Sequence, residues 1–199
     1  PLNAVRHLTM SKLPTHIAIV RSSLVYLSSL SLVSAIAIQE SLSAYYERVE
    51  IVTVDTEADL DRLVRLRPDI AFMGMKYVPG ALPGGRVWVS TVLEAHGIAY
   101  TGSGQVAGEF EMNKSLAKRQ IQAAGLKTSQ FLTVTKGSLY EGTNMPLNYP
   151  LFVKPTSLGG GTGVDGFSVV HSITDLQAKI RSLDLDHDSD ALIEEFLPG

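Results

Sequence analysis

Phe152-Val153-Lys154-Pro155, followed closely by Gly159-Gly160-Gly161-Thr162-Gly163, joins an apolar run ending in a lysine to a loop with almost no side chains. Glycine lets a backbone approach a ligand closely, and successive backbone N–H groups in such a turn make a concavity for anions. A polyphosphate beside a fixed positive charge suits this combination. What flanks the loop decides the fold. Gly161, Gly163 and Gly166 satisfy G-x-G-x-x-G, but a dinucleotide fingerprint needs a helix opening directly after it. Here Phe167-Ser168-Val169-Val170 reads as a strand instead. No Gly-Lys-Ser/Thr closes the run, so a Walker A loop is excluded as well.

A glycine loop on a hairpin remains, the arrangement by which such loops cover ATP phosphates in protein kinases. Lys154 ends an apolar run, where an ammonium is costly unless a negative partner sits nearby. One phosphate contact at ~4 Å and an effective dielectric of ~20 is worth roughly 4 kcal/mol before desolvation is subtracted. A snorkelling lysine on a strand edge is the plainer alternative. Lys114, in Met112-Asn113-Lys114-Ser115, starts a predicted helix, where a cation opposes the helix dipole. That placement also hints at an anionic ligand. Further on, Leu192-Ile193-Glu194-Glu195-Phe196-Leu197 predicts a strand with two carboxylates beside an aromatic ring. A carboxylate can accept from an adenine amino group or a ribose hydroxyl while an apolar side chain packs on the base. The plainer alternative is an edge strand with exposed acids.

Composition narrows the classes. The chain has 199 residues, 45% hydrophobic and 19% charged, as in ordinary globular proteins. A net charge of -3 leaves no basic footprint for nucleic acid or an anionic membrane. The absence of cysteine excludes a disulfide scaffold, a thiol nucleophile and cysteine-ligated zinc, and fits a cytoplasmic location. The five histidines are dispersed, without metal-ligand spacing. Residues 24–38, with Arg6, Lys12 and Arg21 upstream, imitate a targeting segment but are shorter than the ~20 residues of a bilayer span. Ile17-Ala18-Ile19-Val20 before them reads as a buried strand, so a core strand and helix are expected there.

Strands over 17–20, 49–54, 70–74 and 98–100 alternate with helices over 30–46, 58–66 and 87–96, which predicts a parallel α/β sheet. Residues 79–85 are too rich in breakers for either element and read as a loop. The second part, with a helix over 113–124 stopped at Gly125, strands over 131–134, 151–154, 167–170 and 192–196, and a helix over 174–183, predicts an α+β unit with antiparallel pairing. Residues 184–190 read as a solvated acidic turn, without the glycine and glutamate of a calcium loop.

Taken in order, Ala99-Tyr100-Thr101-Gly102-Ser103-Gly104, Met112-Asn113-Lys114, Ala123-Ala124-Gly125-Leu126, Phe152-Val153-Lys154-Pro155, the glycine loop and Ile193-Glu194-Glu195-Phe196-Leu197-Pro198-Gly199 resemble an ATP-grasp enzyme of the D-alanine–D-alanine ligase type. The resemblance is good from about Ile98 onward and looser before it. It implies a parallel-sheet pre-ATP-grasp α/β domain over 16–100 and the N-terminal part of an α+β ATP-grasp domain over 101–199. It also implies that Lys114 and Lys154 contact nucleotide phosphates, that the loop with Gly159, Gly160, Gly161 and Thr162 folds over them, and that Glu194, Glu195, Phe196 and Leu197 hold the adenine. The implied reaction joins two amino acids through an acyl phosphate, using ATP and magnesium. The family continues past Gly199 with the magnesium ligands, so none is expected within this chain and no catalytic residue is assigned. The expected partners are ATP and small amino-acid substrates, with no nucleic acid, no membrane, and a homodimer as a conceivable assembly.

Two positions depart from the family. Arg21-Ser22-Ser23-Leu24-Val25-Tyr26-Leu27 stands where the family has a glycine loop with a substrate-orienting glutamate, Leu27 being near that position. Met73-Gly74-Met75-Lys76-Tyr77 stands where it usually has an asparagine, histidine and glycine run, so D-alanine specificity is not carried over. With these departures, a non-catalytic ATP-binding or interaction module is the alternative expectation.

Overall fold

The computed structural model describes residues 11–140 and 145–197. Arg6, residues 141–144 between the strands expected over 131–134 and 151–154, and the Pro198-Gly199 end of the acidic motif lie outside the described residues. Contacts group into two units, Pro1–Val106 and Ala107–Gly199. The division falls inside a helix, α4 (Gln105–Met112), that the sequence reading did not anticipate.

In the first unit, Ile17-Ala18-Ile19-Val20 is buried residue after residue. Burial on both faces is the mark of a central strand in a parallel sheet. The strand is β1 (Leu13–Arg21), paired parallel to β2 (Tyr46–Thr53) and β3 (Ile70–Met73), with β6 (Ala99–Tyr100) on the far side of β3. The sheet order is therefore β2-β1-β3-β6. Helices α1 (Leu32–Ser43), α2 (Glu57–Leu66) and α3 (Val89–Ala95) occur between the strands. Local chemistry fixes α2 at both ends. Thr56 and Asp59 form a reciprocal capping box, and Arg67 closes the helix in the left-handed conformation at φ 47°. Its Leu60 and Leu63 then enter the core with Val20, Ala71 and Leu93, each contributing about 1.5–3 kcal/mol by burial.

The breaker-rich 79–85 segment is more than the expected loop. It is the turn of a hairpin, β4 (Tyr77–Pro79) with β5 (Arg86–Trp88), closed by a Gly80 N–H to Gly85 carbonyl bond of 2.9 Å. The helix expected over 87–96 consequently begins later, at Val89.

The second unit holds α5 (Lys114–Ala123), β7 (Phe131–Val134), β8 (Leu151–Pro155), β9 (Val169–Val170), α6 (Ile173–His187) and β10 (Ala191–Glu195). All pairs are antiparallel and the order is β7-β10-β8-β9. Strand alternation sends Leu151, Val153, Ala191 and Ile193 to one face, where they pack with Leu176, Ile180 and Leu183 of α6. The opposite face carries Phe131, Phe152, Lys154 and Glu194.

Three readings are corrected here. The strand expected over 167–170 is only β9: Phe167 is exposed, and its N–H donates to the Asp165 carboxylate at 2.9 Å, so a local turn holds that backbone in place of the ladder. Residues 184–187 of the expected acidic turn are the last turn of α6, which ends at Asp188 in the left-handed conformation at φ 46°. Finally, β10 and β8 are interior strands, so neither Glu194 nor Lys154 is an exposed edge residue.

Gly74 follows β3 where its N–H donates to the Val20 carbonyl at 2.7 Å. A Cβ there would lie 2.6 Å from Leu30 Cβ and 2.9 Å from the Val20 oxygen. Gly74→Ala should destabilise the protein by about 1–3 kcal/mol. Gly159→Ala, with open space around the added atom, should change stability by less than about 0.5 kcal/mol. Thermal or denaturant unfolding of the two variants checks this contrast.

Candidate functional site

On the face opposite α6, Glu194 lies in register with Phe131 of β7 and Phe152 of β8. Lys154 is one pleat away, opposite Leu192. One Glu194 oxygen, Oε1, takes the Lys154 ammonium. The other, Oε2, takes Lys118 Nζ at 2.9 Å and the Ser129 hydroxyl at 3.2 Å. Glu194 is buried, at 8% exposure, and burial alone would raise its pKa. The hydrogen bonds and charges of Lys154 and Lys118 outweigh that and hold the carboxyl below its usual range.

Lys114 completes the group from α5. Asn113 caps this helix by accepting from the Leu116 N–H at 3.1 Å. The Lys114 N–H donates to the Thr156 carbonyl at 2.9 Å, and its ammonium donates to the Leu158 carbonyl at the mouth of the glycine loop. Burial first, and the neighbouring Lys154 second, push the Lys114 ammonium below its ordinary pKa, with Glu194 partly opposing them. Cations crowd here, and an anion is the natural relief.

The glycine loop runs outward from β8. Gly160, Gly161 and Gly163 have φ of 63°, 79° and 76°, a region other residues rarely adopt. At Gly163 a Cβ would also sit 2.5 Å from Pro155 Cγ, whereas Gly159, Gly160 and Gly161 face open space. Thr162 is exposed, its N–H bonded to the Gly159 carbonyl at 3.1 Å. At the return end, Lys179 of α6, 3% exposed, donates to Asp165 at 2.9 Å and keeps that carboxyl below its usual range.

Of the residues expected to hold the base, Phe196 has its ring centroid 6.5 Å from that of Phe152, and Lys154 Nζ lies 5.5 Å from the Phe152 centroid. Leu197 is exposed. Alternation turns Glu195 to the other face from Glu194, and its N–H donates to the Gln130 carbonyl at 3.1 Å. Thus Lys114, Lys154 and Glu194 come together, while the Glu195 side chain stands apart from them. Sequence reasoning missed Lys118, Ser129 and the Asp165–Lys179 anchor. The i,i+4 spacing of Lys114 and Lys118 on one helix was the available signal for the first.

In the first unit, the loops after β1, β2 and β3 meet at their carboxyl ends. The Asp55 carboxylate accepts from the Ser22 hydroxyl at 2.5 Å, and from the Ser23 N–H at 2.8 Å and hydroxyl at 2.6 Å, which depress its pKa. Ligands of open α/β sheets bind at such strand ends where the order reverses, here between β1 and β3. Leu27 is buried and supplies no charge. Among the described residues no group of three or more His, Asp or Glu is placed to hold a metal ion, and no helix is long and apolar enough to cross a membrane.

An antiparallel sheet backed by one helix, with lysines on its open face and a glycine loop above, is an ATP-grasp architecture. Residues 120–199 match the family model described as D-ala D-ala ligase C-terminus. The chain is 32% identical to the D-alanine–D-alanine ligase of Geobacter sulfurreducens over 93% of this chain and 56% of that protein, and 31% identical to that of Geotalea uraniireducens over 85% and 52%. It thus spans about half the length of these curated relatives. The ATP complex of the Bacillus anthracis ligase superposes with a TM-score of 0.65 at 25% identity, covering 93% of this chain and 60% of that one. The chain belongs to the ATP-grasp family, and within it to the D-alanine–D-alanine ligase type.

Because the folded-state pKa of Glu194 is depressed, its contribution to stability is present above the ordinary carboxyl value of ~4.3 and is lost as pH falls through the lowered one. Denaturant unfolding of wild type and Glu194→Gln should therefore give a stability difference that is constant above about pH 5 and shrinks below ~4.3.

Proposed function

We propose that this chain is the nucleotide-holding part of an ATP-dependent carboxylate–amine ligase that joins two amino acids. The observation that carries this reading is the cluster of Lys114 and Lys154 around Glu194, beside a loop whose backbone is free of side chains. In this reading the residues before about 100 form the pre-ATP-grasp domain, and those from 101 onward form the first part of the ATP-grasp domain.

Lys114 and Lys154 hold the phosphates of ATP. Their charges are fixed before the ligand arrives, so they stabilise developing negative charge with little reorganisation. Gly159, Gly160, Gly161 and Thr162 close over the phosphates, the positive φ of Gly160 and Gly161 letting N–H groups turn inward. Glu194 accepts from the adenine amino group, the Phe196 ring packs on the base, and Glu195 and Leu197 complete its surroundings through the backbone. A carboxylate oxygen of the first amino acid attacks the γ-phosphorus and ADP leaves. The amine nitrogen of the second attacks the acyl carbon, loses a proton, and inorganic phosphate departs. The share of these residues in that chemistry is charge, orientation and exclusion of water. Magnesium, as in other ATP-dependent phosphoryl transfers, would neutralise the phosphates when bound. A cytoplasmic location fits this chemistry, because ATP is its substrate.

Leu27 and the Met73-to-Tyr77 segment make the amino-acid pair a matter for direct assay. The full-length protein with ATP, magnesium and a panel of D- and L-amino acids should release phosphate with at least one pair. ATP binding without stimulated release by any pair would favour a non-catalytic binding module. Lys154→Ala should weaken ATP binding about tenfold or more, roughly 1.4 kcal/mol, in a calorimetric titration. Unchanged affinity would remove Lys154 from the phosphate site.

A further inference from the structure

We infer that Lys118 is a positioning residue of the nucleotide site, which sets Glu194 and thereby leaves Lys154 available to phosphate. This rests on the ATP-binding reading of the preceding section. An ammonium has three N–H donors. Those of Lys118 meet the Thr128 hydroxyl at 2.7 Å, the Ser129 hydroxyl at 2.7 Å and Glu194 Oε2 at 2.9 Å, and its side chain is only 12% exposed. Its donor capacity is therefore filled by the protein. Unlike Lys114 and Lys154, it has no N–H left for a phosphate oxygen.

The three partners come from different stretches of chain. Lys118 is on α5, Thr128 and Ser129 lie in the link to β7, and Glu194 is on β10. Ser129 adds a second donor to the same Oε2 at 3.2 Å. One carboxylate oxygen is thus fully committed away from the ligand, and the other is shared with Lys154. Without Lys118, Oε2 would keep only the Ser129 hydroxyl and the carboxylate would lean further on Lys154, the cation already paired with it, as a buried carboxylate must find compensation. Glu194 would then compete with phosphate for Lys154 and lose the pose from which it accepts an adenine amino group. Charge division between Lys118 and Lys154 means that Glu194 keeps a cationic partner when Lys154 exchanges it for a nucleotide.

The test uses the full-length protein and ATP titrations of wild type, Lys118→Met, Glu194→Gln and the double variant. Lys118→Met should weaken ATP binding about tenfold, while Lys118→Arg, which keeps charge and donors, should stay within about threefold of wild type. Ser129→Ala, removing one support without altering charge, should cost about threefold. In the Glu194→Gln background the same Lys118→Met change should cost less than twofold, because the residue it acts through is gone. In turnover, KM for ATP should rise while kcat and the KM for the amino acids hold. Equal losses in both backgrounds, or a fall in kcat with KM for ATP unchanged, would overturn the positioning role and leave ATP binding intact. No ATP binding by wild type would overturn both.

Discussion

Glu194 lies between two lysines on an interior strand, and much of the second unit is arranged to make that carboxylate tolerable. A buried charge with one partner is a liability; with Lys154 on one oxygen, and Lys118 and Ser129 on the other, it is compensated and its pKa falls despite burial. The sheet order brings β8 and β7 to either side of β10, so Phe131 and Phe152 flank the carboxylate. Asn113 starts α5 one residue before Lys114, which sets Lys114 and Lys118 one turn apart toward the same group.

The glycine loop is constrained at its ends and open in the middle. Lys114 ties its mouth at the Leu158 carbonyl, Lys179 ties its return at Asp165, and Gly163 packs where Pro155 leaves no room for a side chain. Between these points a side chain added at Gly159, Gly160 or Gly161 would meet nothing within 4 Å. A loop that closes over a ligand needs this division, with fixed hinges and a tip whose backbone can turn its N–H groups inward.

How much of this could be read from residues alone depended on range. Local signals served well: the unbroken apolar run 17–20 marked a central parallel strand, and Asn113 and Gly125 bounded α5. Tertiary information was out of reach. That β10 is interior follows from a pairing with β7 some 60 residues away, so Glu194 could be taken for an exposed acid. The β4–β5 hairpin was hidden because three-residue strands carry little periodicity. Phe167 read as strand by propensity, but the Asp165 turn captures its backbone. Lys118 drew no reading from the sequence, since its partners Ser129 and Glu194 adjoin it only in the fold.

The central claim is that Lys114, Lys154 and Glu194 form one nucleotide site beneath the glycine loop. A crystal structure of the full-length protein with a non-hydrolysable ATP analogue tests it directly. The account predicts phosphate oxygens on the two lysine ammonium groups, loop N–H groups from 159–162 turned toward them, and the adenine amino group at Glu194. A nucleotide bound elsewhere, with Lys154 still paired to Glu194 alone, would contradict it.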